Sequence, residues 1–302
     1  MRRLTTTDRD DRGGATIFII VALTAVIVGA GLAIDVGQYV TSARSAQNTA
    51  DATALAVATD CALTGTPNAD YSAYRKPGQT ISAPACGSGQ ATITATKDVD
   101  GLFLQQSAGA VDRTATARWD TLATANVLPI VIADCEYTRG LSNGSSDIIL
   151  YLDDPKPQSG CSSLPGGFSQ LLADGCSVQV SAGSPAPGQP GGALQKVVPC
   201  ITNPNSPALP HDVLIPIYNA SACEAAGCKG KGPYPILGIA ALHVTGYSFN
   251  GNSYAGSLGK KCPDGKDRGR YCIRGEFIDY TTTQGTPGPS TDFGVTQVYL
   301  YS

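Results

Sequence analysis

Residues 15–34 read ATIFIIVALTAVIVGAGLAI: twenty positions without a charge or a proline, and with only two threonines as polar side chains. A helix of that length rises about 30 Å, which matches the hydrocarbon core of a bilayer. A helix buried in a water-soluble protein keeps one polar stripe, and this segment has none. The run predicts a transmembrane helix over 15–34. Its flanks predict an orientation, because Arg2, Arg3, Arg9 and Arg12 precede it while Asp35 follows and the next basic residue is Arg44. Lys and Arg close to a span stay on the cytoplasmic side, and acidic neighbours such as Asp8, Asp10 and Asp11 count little. Residues 1–14 are expected to form a cytoplasmic leader and residues 35–302 to lie outside.

A cleaved secretory signal competes with this reading. It requires a shorter apolar core and a small-x-small cleavage site. Gly31-Leu32-Ala33 offers a weak site, but the apolar run is long and flows into further helix-compatible sequence. That continuation, VGQYVTSARSAQNTADATALAVATD after Asp35, has no proline and one glycine. Ala46, Ala50, Ala54 and Ala58 recur every four residues, a spacing that places them on one narrow helical stripe. Alanine favours helix, and its small side chain lets another backbone approach closely. An extended helix over 35–60 is therefore expected. Its stripe could pack on the chain's own domain or serve as an assembly face for another subunit, and the pattern leaves both open.

Residues 11–58 carry a short basic leader, a glycine before the apolar helix, Asp35-Val36-Gly37 just after it, and the run Gln47 to Ala56 (QNTADATALA). This string resembles the N-terminal signature of the TadE/TadG-like Flp (tight adherence) pilus-assembly family. The resemblance implies an envelope-anchored, pseudopilin-like component with other pilus or envelope components as partners. It also implies a possible prepilin-type cleavage after Gly13 or Gly14. Major pilins carry Glu at the fifth mature position, whereas that position here is Ile19 and the apolar run holds no Glu. An uncleaved, anchored component fits the residues better.

The ten cysteines (Cys61, Cys86, Cys135, Cys161, Cys176, Cys200, Cys223, Cys228, Cys262 and Cys272) all follow the apolar run. An even number on the outer side of a membrane reads as a disulfide framework. A zinc site would need C-x-x-C knuckles with histidine, and the chain has no C-x-x-C. Ten cysteines allow about 945 pairings. The local pairs Cys61–Cys86, Cys223–Cys228 and Cys262–Cys272 are favoured. The middle four could pair as Cys161–Cys176 with Cys135–Cys200, or as sequence neighbours.

The remaining sequence predicts a small membrane-proximal α/β region over 61–126, with strands at 90–96 and 113–119 and a short helix at 99–109. A β-rich, disulfide-stapled outer domain follows over 127–302. Its strands are expected at 127–133, 147–152, 177–181, 213–218, 236–249, 270–280 and 294–301, with Pro129 and Pro216 pushing the first and fourth to sheet edges. Residues 164–168 look like a turn entering a short helix that reaches Asp174. The fold class is α+β.

Chemistry is sparse. With 15% charged residues, a net charge of −3 and two histidines, the chain lacks material for nucleic-acid binding or a zinc site. Asp153-Asp154 lacks calcium-loop spacing, and His211 and His243 read as a loop residue and a strand residue. Gly140-Leu141-Ser142-Asn143-Gly144 fits G-x-S-x-G, but a nucleophile elbow needs a strand before it and a helix after it; a plain turn is expected. Lys229-Gly230-Lys231 and Lys260-Lys261 read as solubilising spots. No catalytic residue, cofactor or metal is expected. The thirteen tyrosines suit exposed sheets and contact surfaces, and a surface ligand, if any, is not specified. The sequence thus points to a non-enzymatic, single-pass membrane protein of a Flp/Tad-type pilus or secretion apparatus, with a structural, assembly or adhesion role. The alternative is a secreted binding protein or enzyme released after signal cleavage.

Overall fold

In the computed structural model the described residues are 12–68, 70–99, 109–142, 148–151, 161, 168–189, 200–201, 211–228, 232–249, 252–254 and 272–301. The chain is α+β and divides into two compact units. The first holds residues up to 57, residues 66–117 and the last three; the second holds 58–65 and 118–299.

The apolar run and its continuation belong to one helix, α1 (Arg12–Thr64), which is unbroken over 53 residues and belongs to the first unit up to Val57. No proline interrupts it, and alanine supplies much of its outer half. Beside it lie β1 (Gln79–Ile81), β2 (Gln90–Val99) and the first part of β3 (Gly109–Val127). β1 pairs antiparallel with β2, and β2 neighbours β3. Along β2, Ala91, Ile93 and Ala95 are buried while the threonines between them stay more open, the alternation of a half-buried strand. Cross-strand bonds join Thr92 to Thr116 (3.0 Å), Thr94 to Thr114 (2.9 Å) and Thr96 to Asp112 (2.7 Å). The short helix expected at 99–109 falls almost wholly outside the described residues.

The second unit is built on β10 (Tyr234–Phe249), which pairs with β9 (His211–Tyr218) on one side and β12 (Cys272–Ile278) on the other. The sheet order is β5-β12-β10-β9-β4-β6, where β4 is Ile130–Ala133, β5 Ile148–Tyr151 and β6 Phe168–Gln170. Two short strands, β8 (Pro185–Ala186) and β11 (Asn252–Tyr254), pair with the ends of β10. Successive residues of β10 enter opposite cores. Ala240, Leu242 and Val244 join Ile132, Leu150, Ile217 and Ile273, whereas Ile239 and Ala241 join Val131, Leu122, Val180 and Val295. Burial on both faces is why this strand reads as a near-continuous apolar run. The second core is shared with another sheet: the end of β3, β15 (Val295–Tyr301), β13 (Tyr280–Thr282), β14 (Thr286–Pro287) and β7 (Val178–Ser181).

Over the first core lies α2 (Asp134–Ser142). Its Tyr137 ring packs 4.5 Å from Phe277 and 4.9 Å from Phe293. Buried Glu136 accepts from the Arg139 guanidinium at 2.6 and 2.9 Å, and Arg139 also donates to the Ile149 carbonyl at 3.2 Å. The Asp134 carboxylate accepts from the backbone N–H of Cys135 and from that of Ala220, which opens α3 (Ala220–Ala226). Asn219 caps α3 by accepting from Ala222 N–H at 2.8 Å.

Cys135 bonds Cys161, Cys176 bonds Cys200 and Cys223 bonds Cys228. The middle four cysteines therefore pair as sequence neighbours, not as Cys161–Cys176 with Cys135–Cys200. Cys61, Cys86 and Cys272 are also disulfide-bonded; Cys262 lies outside the described residues. With sequence separations of 26 and 24, the first two bridges each stabilise by roughly 3–4 kcal/mol in the chain-entropy model.

Three local expectations are corrected. β9 is internal despite Pro216, because pairing with β4 starts only at Ile217 and leaves the proline free of that ladder. β4 is internal as well, and Pro129 sits at the break before it rather than within it. No helix reaches Asp174: Phe168–Gln170 pairs as β6 with β4, since Phe168 lies opposite Ile132.

Gly238 marks a register shift in β10, and a Cβ built there would lie 2.5 Å from the Thr291 carbonyl oxygen and 2.8 Å from Phe293 Cδ2. Since backbone cannot give way as a flexible side chain does, Gly238→Ala is expected to destabilise the fold by about 1–3 kcal/mol. A lowered thermal midpoint relative to the parent chain checks this.

Candidate functional site

The feature most suited to function is α1, whose two halves meet different surroundings. From Ile17 to Val40 its large apolar side chains are exposed, with Phe18 at 80%. The helix is long and apolar enough to cross a membrane. Within it, Thr24 Oγ1 donates to the Ile20 carbonyl at 2.8 Å. That bond hides its hydroxyl within the helix, as a lipid surround requires. Gly13 and Gly14 lie in the first turn of α1.

Side-chain burial begins at Ala43 and repeats through Ala46, Thr49, Ala50, Thr53, Ala54, Val57, Ala58 and Cys61. Steps of three and four residues make this one side of a helix. Ala46, Ala50, Ala54 and Ala58 are each 0% exposed. The alanine stripe is thus covered by the chain's own residues.

In the first unit the docking is part apolar and part polar. Ala43 packs with Val99 and Val111. Gln79, 6% exposed at the start of β1, accepts from Thr49 Oγ1 at 2.6 Å and from Lys76 N–H at 3.1 Å, and donates from Nε2 to Ser45 Oγ at 3.0 Å. Every hydrogen-bonding group of that carboxamide except one N–H thereby has a named partner. Sequence reasoning missed this clasp. A lone Gln after a Lys-Pro-Gly turn carries no signal that it reaches back 30 residues to a helix.

Chemistry-bearing candidates stay apart. Ser142 ends α2, and its hydroxyl donates to the Thr138 carbonyl at 2.8 Å. The G-x-S segment is therefore helix, not the expected turn, because α2 extends through it. That also leaves a helix where an elbow needs a strand. His243 Nδ1 lies 2.6 Å from Asp212 Oδ1 across β10 and β9, partly open to solvent. Burial raises the Tyr218 and Tyr234 phenols above their ordinary range, with the two rings 5.0 Å apart in the second core. Both are held as neutral core residues. Among the described residues no group of three or more His, Cys, Asp or Glu comes together to hold a metal. Asp153-Asp154, Lys229–Lys231 and Lys260-Lys261 lie outside the described residues.

Residues 13–60 match the model of the TadE/G-like Flp pilus-assembly family. That span covers the apolar half of α1 and nearly all of its docked half. No curated protein and no solved structure matches the chain.

Replacing Gln79 by Leu keeps the volume but strips Thr49 Oγ1 of its partner in a buried position. Gln79→Leu is expected to cost about 1–3 kcal/mol, read as faster amide hydrogen exchange around residues 45–53 than in the parent.

Proposed function

We propose that the chain is a single-pass, envelope-anchored, pseudopilin-like component of a Flp/Tad-type pilus or secretion apparatus. The observation that carries this reading is a coincidence of position. The family match at 13–60 falls on the helix whose first half is long and apolar enough for a bilayer and whose second half is buried in the fold. The leader (1–14) would be cytoplasmic, residues 15–34 would span the membrane, and residues 35–60 would carry the helix outward. Residues 61–126 and 127–302 would form the extracytoplasmic body, where oxidising conditions support its disulfides.

The role is structural, in assembly or adhesion, and not enzymatic. The match of residues 13–60 to a pilus-assembly family supports an assembly role. Other pilus or envelope components are the partners. Because the alanine stripe is already covered, partner contacts would fall on the opposite side of the docked helix or on the body. Release by cleavage near Gly31-Leu32-Ala33 is disfavoured, since that site lies inside a continuous helix. Cleavage after Gly13 or Gly14 would spare both functional halves of the helix.

The chain should therefore fractionate with membranes and resist high-salt extraction. Protease added to intact cells should degrade the body while sparing an N-terminal tag. Val26→Arg with Leu23→Arg should shift protein out of the membrane fraction, because each arginine adds about 2.5–3.5 kcal/mol at a span centre. A soluble parent chain with free thiols would reject the reading. N-terminal sequencing of the mature protein distinguishes an intact leader, a start at Ala15 and a start near Ile34.

A further inference from the structure

We infer that the second unit carries a binding cleft for a neutral, polyhydroxylated ligand, namely an uncharged saccharide. The cleft has a volume of about 630 Å³ and is lined by the end of β3, by β7, β13 and the turn at 282–286, and by Thr59 of α1, Leu214 of β9 and Val298 of β15. Small-molecule sites span about 300–1,000 Å³, so it has room for a short oligosaccharide segment.

The lining decides the ligand class. Of its fourteen described residues none is Asp, Glu, Lys, Arg or His. Six are threonines, and Asn126, Gln179 and Gln284 add three carboxamides. Hydroxyls and carboxamides both donate and accept. An ion entering this cleft would surrender hydration without meeting a counter-charge. A hydrocarbon would cover the polar groups and leave them unpaired. A sugar ring avoids both penalties: its hydroxyls pair with donors and acceptors alike, and its C–H face can lie on the apolar area from Tyr280 and Leu214.

The walls are also held in place before any ligand arrives. Gln284 N–H donates to Thr282 Oγ1 at 3.0 Å, and buried Gln297 donates from Nε2 to the Gly285 carbonyl at 3.0 Å. Gly285 has φ +100°, and a Cβ there would come 2.5 Å from the Thr124 carbonyl oxygen, so the turn presses directly on β3. Thr124 Oγ1 in turn donates to Ser181 Oγ at 3.0 Å, tying β3 to β7. Preorganisation of this kind reduces the ordering cost of binding. Asn126 and Gln179 face each other across β3 and β7, both solvent-exposed.

This inference does not depend on the anchor reading; a chain that fails to bind sugar can still be a membrane-anchored assembly component. The test uses the full chain in lipid nanodiscs, avoiding glycoside detergents, titrated calorimetrically with maltotriose and chitotriose. A hyaluronan tetrasaccharide and a neutral Gly-Ser peptide serve as comparisons. Saturable binding of either neutral trisaccharide, with the charged sugar and the peptide at least about tenfold weaker, is the expected result. Maltotriose and chitotriose separate a glucan from an amino-sugar glycan as the source. Asn126→Ala with Gln179→Ala should weaken binding about tenfold or more with the thermal midpoint unchanged, and Thr283→Trp should abolish it by filling the cleft. The inference is overturned if neither neutral trisaccharide binds, if the acidic sugar or the peptide binds as well, or if both variants bind like the parent.

Discussion

Everything distinctive about this chain depends on how small the residues are along one side of a single helix. Alanines at 46, 50, 54 and 58 bury completely because they bring nothing beyond Cβ. A leucine at any of these points would push away whatever covers it. Close approach lets the helix enter the fold as a core element while its apolar beginning stays outside. Two demands that ordinarily oppose each other, a helix greasy enough for lipid and one dressed for a protein interior, are separated along its length. The change comes between Val40 and Ala43, over less than one turn.

The polar clasp at Gln79 adds direction to that contact. Alanine on alanine-sized contacts fixes distance but tolerates sliding by a turn. A carboxamide that accepts from Thr49 and donates to Ser45 is satisfied in one register alone. Specificity here comes from three side chains, and bulk stability from the apolar burial around them.

How far the sequence was readable follows from how local each signal was. The apolar helix, its continuation and the strand at 236–249 were legible because periodicity or its absence is written in adjacent residues. β10 reads as an apolar run since both of its faces are buried. Pro216 misled because a proline reports what its own N–H cannot do, not whether a neighbouring strand extends that far. The segment around Phe168 suggested helix from its turn residues, yet pairing with Ile132 decided its state. The clasp and the neutral cleft were invisible for the same reason: both gather residues from distant stretches, and threonine or glutamine in a strand carries no mark of what it will face.

The absence of a break in α1 has a mechanical meaning. Without proline or an interrupting loop between residues 12 and 64, the exposed half and the docked half share one continuous helix. From Ile34 to Ala43 the axis advances only about 13 Å. With residues 15–34 in lipid, the first docked residue would be held at a set height above the bilayer. A pull on the docked end would become a pull on the lipid-facing segment along a stiff rod, and a tilt of one would be a tilt of the other. Such an element is suited to carrying load, and poorly suited to being a tether.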